Sequence, residues 1–190
     1  MYKDKLIKAC VGIAGSGGLG SNAAIALARI GIGQLIIADF DVVSESNLNR
    51  QYFFLDQIGQ KKVFALKDNI GRVNPYVNVE AYDLKLNPES VIRIFKNCDI
   101  IIEAFDLAEM KQMIIETVLT EFPEKYIIAA SGLGGWGRNN TIKTEKYDNL
   151  FICGDMISEV SDICPPLAPR VGVVANMQAN QAFEIIMNLF

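Results

Sequence analysis

Residues 9–21 read Ala9-Cys10-Val11-Gly12-Ile13-Ala14-Gly15-Ser16-Gly17-Gly18-Leu19-Gly20-Ser21. The first six form an apolar run with the length and composition of a buried strand. The next six are GxGxxG, and a helical pattern follows from Ser21 to Ile30, with Ala24, Leu27 and Ala28 on one side. In this strand–turn–helix setting, glycines let the backbone approach a phosphate closely, and the helix N-terminus offers unpaired N–H groups to an anion. Gly15, Gly17, Gly18 and Gly20 are therefore expected to bind a nucleotide. Gln34–Ala38 reads as a second strand, and Asp39 ends it about 20 residues after the glycines, where a carboxylate can accept bonds from ribose hydroxyls.

Working outward, apolar strands keep alternating with helical stretches. Helices are expected over Gly59–Val73, Glu89–Lys96, Leu107–Thr120 and Val171–Leu189. Strands are expected over Val77–Ala81, Asp99–Glu103 and Tyr126–Ala130. Continuous apolar strands separated by helices predict a mostly parallel sheet covered on both faces, and right-handed crossovers make it doubly wound and Rossmann-like. Ser131–Pro169 breaks the pattern. Its Gly, Pro, Asn and Asp content predicts loops with a small antiparallel excursion. A final long helix closes the α/β fold, read as one domain over residues 1–190.

Composition narrows the chemistry. The chain is 51% hydrophobic and carries a net charge of −4. That balance favours a packed core and disfavours a nucleic-acid or anionic-membrane surface. No apolar run is long enough to span a bilayer, and Met1–Lys5 shows no signal-peptide pattern, so a cytoplasmic protein is expected. There is no histidine. Any catalysis must run on carboxylates, Lys, Arg, Cys, hydroxyls and backbone amides. The cysteines Cys10, Cys98, Cys153 and Cys164 form no CxxC pair, so no zinc is expected. Cys10, Cys98 and Cys153 sit in or beside apolar strands and read as core.

The glycine loop alone does not separate a dinucleotide from ATP. The stretch Asp39-Phe40-Asp41 through Ser46-Asn47-Leu48-Asn49-Arg50-Gln51, followed by Gly59-Gln60-Lys61-Lys62, makes that distinction. An Arg forks onto phosphate oxygens, a Lys adds a compact positive charge, and Asn47 and Gln51 add neutral bonding groups. A dehydrogenase needs no such cluster here; a triphosphate does. Asp41 either braces this loop through Asx-type bonds to backbone or pairs with Arg50, the bracing role being the favoured reading.

In order and spacing, Gly15–Gly20, Asp39-Phe40-Asp41, Ser46–Gln51, Gly59 with Lys62, and Asn74-Pro75 resemble the ThiF/MoeB/ubiquitin-activating superfamily of adenylating enzymes. Ala129-Ala130-Ser131-Gly132-Leu133 and Pro165–Val171 look most like its short ThiF-type branch. The resemblance implies an ATP- and Mg2+-dependent adenylyltransferase. Its substrate would be the C-terminal Gly carboxylate of a small ThiS-like, ubiquitin-fold sulfur carrier, in thiamine thiazole biosynthesis. Alternatives are adenylation of a small-molecule or other carboxylate, or a non-catalytic relative that binds nucleotide or carrier.

The same resemblance implies roles for individual residues. Asp39 would hold ribose; Ser46, Asn47, Arg50, Gln51 and Lys62 would surround the triphosphate; Asp106 would lie near magnesium and the α-phosphate. Arg50, Lys62 and Asp106 are thus the catalytic candidates. The family usually places Asn directly after this Asp and Arg a few residues later; Leu107 and Lys111 stand there instead. The family's long N-terminal arm is nearly absent, so its Arg, which can reach a partner subunit's active site, has no counterpart here, although relatives imply a homodimer. Cys164, before Pro165-Pro166, lies near the position of a cysteine that bonds covalently to the carrier in relatives. A reactive thiolate needs a cation beside it, and Arg170 is the one nearby in sequence; a plain loop thiol is the alternative. The single tryptophan, Trp136, sits among glycines and either packs in the core or lines a channel for the carrier tail, core packing being the simpler reading.

Overall fold

The computed structural model describes residues 2–189; Met1 and Phe190, the two ends of the expected 1–190 unit, lie outside the described residues. Within them, seven strands form one sheet: β1 (Cys10–Ala14), β2 (Gln34–Asp39), β3 (Asn78–Asp83), β4 (Ile100–Glu103), β5 (Tyr126–Ser131), β6 (Lys143–Tyr147) and β7 (Leu150–Gly154). Six α-helices accompany them: α1 (Tyr2–Lys8), α2 (Gly18–Ile30), α3 (Lys62–Val73), α4 (Pro88–Phe95), α5 (Ala108–Glu121) and α6 (Ala168–Leu189). Strand order is β3-β2-β1-β4-β5-β7-β6, parallel except for β6, which pairs antiparallel with β7 at the edge. This is the expected doubly wound α/β fold, and the antiparallel excursion falls inside Ser131–Pro169 as the composition predicted.

Strand alternation sends side chains to two apolar layers. Val11, Ile13, Leu35 and Ile37 meet α2, α3 and α6 on one face. Cys10, Ala14, Ile36 and Ile101 meet α4 and α5 on the other. Gly12 faces the second layer because Phe95 covers it; a Cβ there would sit 2.6 Å from the ring. Cys10, Cys98 and Cys153 are buried in these layers as expected.

Helix ends follow local chemistry. Asn87 and Ser90 cap α4 reciprocally, with Ser90 N–H on Asn87 Oδ1 and Asn87 N–H on Ser90 Oγ, both at 2.8 Å, and Pro88 preset for the first turn. Three helix starts differ from the sequence expectation by three residues, the other boundaries by no more than two. α2 begins at Gly18, not Ser21, because the later glycines of the loop are already helical. α3 begins at Lys62, not Gly59: Gly59 has φ +87°, and residues 59–62 instead pair with 41–43. α6 begins three residues early because Pro169 is tolerated in a first turn. α1 carried no sequence signal; it is short, buries only Leu6, and is held by Lys5 Nζ on the Met187 carbonyl at 2.6 Å.

The winding reverses between β1 and β4, which lie parallel side by side: from β1 the chain winds outward to β2 and β3, and from β4 it winds the other way to β5. In open α/β sheets this opens a crevice beyond the carboxyl ends of the strands. The glycine loop after β1 and the Glu103–Asp106 turn after β4 stand on its two sides.

Candidate active site

The loop is built for close approach. Gly15 takes φ +99°, and a Cβ there would press within 2.8 Å of the Ala104 carbonyl oxygen. A Cβ on Gly20 would overlap the Gly15 carbonyl. Gly17 precedes α2 in extended conformation with no side-chain cap, and the first turn carries no acidic residue. The leading N–H groups of α2 therefore face the crevice with the positive end of the helix dipole.

Asp39 is fixed beside them. Its Oδ2 accepts the Ser16 N–H at 2.5 Å and its Oδ1 accepts the Asp41 N–H at 2.8 Å. Each carboxylate oxygen keeps further lone pairs for hydroxyl donors.

The segment after β2 is stitched back onto α2. Asn22 Nδ2 donates to the Gly18 carbonyl at 2.7 Å and the Arg50 carbonyl at 2.9 Å, and Tyr52 N–H donates to Ser21 Oγ at 2.9 Å. The Arg50 stem crosses Gly18, where a Cβ would lie 3.4 Å from Arg50 Cγ. Among the described residues the Arg50 guanidinium is held by neutral acceptors alone, the Ser46 carbonyl at 3.2 Å and Asn49 Oδ1 at 2.8 Å. Buried Gln51 lies beside Gly17. Asn47 spends its Oδ1 on Ser44 N–H at 3.1 Å, closing a single turn over Glu45–Asn47, and Ser46 Oγ lies 3.0 Å from Ser44 Oγ. The structure thus gathers Gly15–Gly20, Asp39, Arg50 and Gln51 around one helix end, with Ser46 and Asn47 in the adjoining turn.

Lys62 is placed differently from a free phosphate ligand. It is buried, and its Nζ donates to Asp41 Oδ2 at 2.7 Å. The expectation for Asp41 is corrected accordingly: it pairs with Lys62, not Arg50, and its carboxylate is half-exposed while the amine is buried. Asp106 is exposed on the turn between β4 and α5 and has no ion-pair partner among the described residues.

Two buried carboxylates near this edge escaped the sequence reading. Glu103, fully buried at the end of β4, accepts both oxygens' worth of bonds from Lys111 Nζ at 2.9 and 3.0 Å and the Phe105 N–H at 2.7 Å. Burial pushes its carboxyl above the usual range, although Lys111 and the Phe105 amide pull against this. Lys111, read above only as a departure from the family's Arg, thus ties α5 to the turn that carries Asp106. A charged residue closing Ile100-Ile101-Ile102 was the available signal, since such a strand is covered on both faces.

The second is Asp155, just past β7, which binds Arg170 at 2.5 Å. Arg170 is therefore committed to a carboxylate and to the Gly137 and Gly132 carbonyls, which removes it as an activator for Cys164. Cys164 itself is half-buried in a turn closed by reciprocal bonds between its backbone and that of Ser161, with Sγ against Gly135. Trp136 is 71% exposed, so the core-packing expectation fails. The glycines around it have φ +77° and +65°, and turn the chain outward before a core is reached. Among the described residues no helix is long and apolar enough to cross a membrane.

The chain is similar to known proteins in both sequence and fold. The chain is 33% identical over 195 residues to the adenylyltransferase and sulfurtransferase UBA4 of Eremothecium gossypii, covering 98% of this chain and 43% of that protein. It is 38% identical over 103 residues to the probable adenylyltransferase/sulfurtransferase MoeZ of Mycobacterium tuberculosis, covering 54% of this chain and 26% of that one. The chain thus spans less than half the length of these curated relatives. Its fold superimposes on E. coli tRNA N6-threonylcarbamoyladenosine dehydratase, TcdA, solved in complex with AMP, with TM-score 0.89 at 20% identity over 98% of this chain and 89% of that one. It also matches E. coli MccB with TM-score 0.77 at 22% identity, over 97% and 58%. The ThiF family model matches residues 2–189, and the chain belongs to the ThiF family.

Proposed function

We propose that this chain is an ATP-dependent adenylyltransferase, a single 1–190 catalytic unit that activates the C-terminal Gly carboxylate of a ThiS-like, ubiquitin-fold sulfur carrier. The observation that carries this reading is the uncapped end of α2, with Asp39 on one side and the Arg50 stem laid across Gly18 on the other. That arrangement offers amides and a forked cation to phosphate and a carboxylate to ribose.

The chemistry suits a protein without histidine. A terminal carboxyl has a pKa of about 3.3–3.7, so it is ionised at neutral pH and needs no general base. Its attack on the α-phosphorus forms the carboxylate–phosphate bond and expels pyrophosphate, leaving a carrier acyl-adenylate. The barrier is mainly repulsion between anions and misalignment. Positioning can supply up to ~7–11 kcal/mol, and Arg50 and Lys62 offset charge on the phosphates as it shifts. Lys62 does so by sharing its ammonium between Asp41 and a phosphate oxygen.

Asp106 fits magnesium, an ion that binds through one or two carboxylates together with substrate phosphates. When bound there, the ion would screen phosphate charge. Cys164 remains a candidate for a later covalent step, without Arg170 to activate it. A homodimer, a cytoplasmic location and the thiamine route belong to the same proposal by likeness to the family; the sulfur donor is open.

The test is exchange of labelled pyrophosphate into ATP, with and without a carrier ending in Gly-Gly. Exchange that depends on the carrier supports the reading. Exchange driven equally well by a free small carboxylate would replace the carrier with a small substrate, and ATP binding without any exchange would make the chain a non-catalytic relative.

A further inference from the structure

Across the crevice from Asp39, the loops after β5 and β7 are ordered by one buried ion pair. Arg170, in the first turn of α6, and Asp155 are 4% and 5% exposed. Asp155 Oδ1 accepts the N–H groups of Ile157 at 2.9 Å and Ser158 at 2.7 Å, and its Oδ2 accepts the Ser158 hydroxyl and an Arg170 Nη2 bond at 2.5 Å. Arg170 Nη1 reaches the Gly137 carbonyl at 2.8 Å and Nη2 the Gly132 carbonyl at 3.5 Å. One guanidinium therefore pins both ends of the 132–137 loop, while its partner pins the start of the 155–166 loop.

Three of the six residues in 132–137 are glycines at positive φ, a stretch with large conformational freedom to lose. The next residue along α6, Val171, lies against the glycine loop: a Cβ on Gly18 would come within 2.8 Å of Val171 Cγ1. The helix that carries Arg170 is thus packed on the end of α2. The braced loops also present exposed apolar side chains, Trp136, Ile157 and Ile163.

A buried ion pair is a poor device for stability alone, because apolar groups of similar volume do as well or better. What it supplies here is one fixed arrangement of two otherwise loose loops. A wall with an apolar rim, anchored beside the phosphates but on the side opposite the ribose acid, suits a protein substrate rather than the nucleotide. We propose that Asp155 and Arg170 are a positioning pair that presets this wall for the carrier's C-terminal segment. This inference rests on the carrier-adenylation reading above.

The experiment compares wild type with Arg170→Lys and with the apolar double variant Asp155→Leu/Arg170→Met, which removes the charges while filling the space. Exchange rates are measured against a ThiS-type carrier ending in Gly-Gly and against ATP, and Trp136 fluorescence anisotropy is read without any carrier. The expected result is a carrier KM raised about tenfold or more in the double variant, an ATP KM within about twofold of wild type, and lower Trp136 anisotropy. Arg170→Lys should lie between, since a Lys reaches Asp155 but cannot fork to both carbonyls. An unchanged carrier KM in a folded double variant, or an ATP KM that rises equally, would overturn the inference. If wild type shows no exchange with any carrier, the functional reading fails by itself; unchanged Trp136 anisotropy then still refutes the positioning role.

Discussion

Glu103 and Asp155 are both carboxylates withdrawn from water at the carboxyl end of a strand, each with one cation, yet they settle in opposite electrostatic states. For each, burial is the largest influence and raises the pKa. Asp155 overcomes it: bonds from the Ser158 hydroxyl and amide, the Ile157 amide and the Arg170 charge hold its carboxyl down at about 2, against an ordinary 3.8. Glu103 does not, and stays above its ordinary value. The difference lies in the donors. For Asp155 the Ser158 hydroxyl, the Ser158 amide and the Ile157 amide lower the pKa most, and the buried Arg170 charge adds to them. Lys111 is partly exposed and is shared with the Ala130 carbonyl. The lesson is that a buried carboxylate is a firm anchor only when enough preset donors converge on it, and by that measure the loops beyond β7 are pinned more firmly than the turn beyond β4.

This contrast yields predictions. The largest effect should be at the looser turn, where function sits: Asp106→Ala should lower carrier-dependent exchange about 10²–10³-fold, with the thermal midpoint and ATP binding retained. Exchange at the wild-type rate would remove Asp106 from the chemistry.

Next, stability should divide the two pairs. Asp155→Asn leaves Arg170 buried without its counter-charge and should cost about 3–5 kcal/mol. Glu103→Gln removes a charge that burial already disfavours and should change stability by only about 1 kcal/mol. Urea unfolding at pH 7 measures both, and equal losses would erase the contrast.

The pH dependence should differ in sign. Asp155 has a depressed pKa, so its contribution is present above about 3.8 and is lost as pH falls through about 2. Glu103 has a raised pKa, so its contribution is present below its ordinary value and is lost as pH rises through the raised one. Stability profiles of Asp155→Asn and Glu103→Gln should therefore depart from wild type in opposite pH directions. The smallest expected effect is at Lys62: Lys62→Ala should weaken ATP binding about tenfold by calorimetry, since Arg50 and the α2 amides remain. No change in affinity would mean that Lys62 only braces Asp41.

The same contrast separates what the sequence made legible from what it did not. Around β1 and β2 the information is local: a glycine pattern, an acid at the next strand end and alternating apolar runs, so Gly15–Gly20, Asp39 and Arg50 could be placed from spacing. Between Ser131 and Pro169 order comes from contacts distant in sequence, which periodicity cannot show. Gly135 bridges Pro166, and Arg170 reaches back to Gly132, Gly137 and Asp155. A signal did exist in α6. Arg170, Val174 and Gln178 are four residues apart on the buried stripe, so a charge at Arg170 had to find a partner inside. Lys62 marks the limit of spacing near the site: its position pointed at phosphate, but nothing local showed that Asp41 holds its amine in this structure.

That amine also gives the most direct test of the central claim, that a triphosphate binds over the start of α2. A crystal soaked with a non-hydrolysable ATP analogue should show ribose on Asp39, phosphates over Gly17–Gly20, Arg50 turned from the Ser46 carbonyl onto phosphate, and Lys62 Nζ in contact with a phosphate oxygen. Density elsewhere, with Arg50 and Lys62 left on their present partners, would contradict the account.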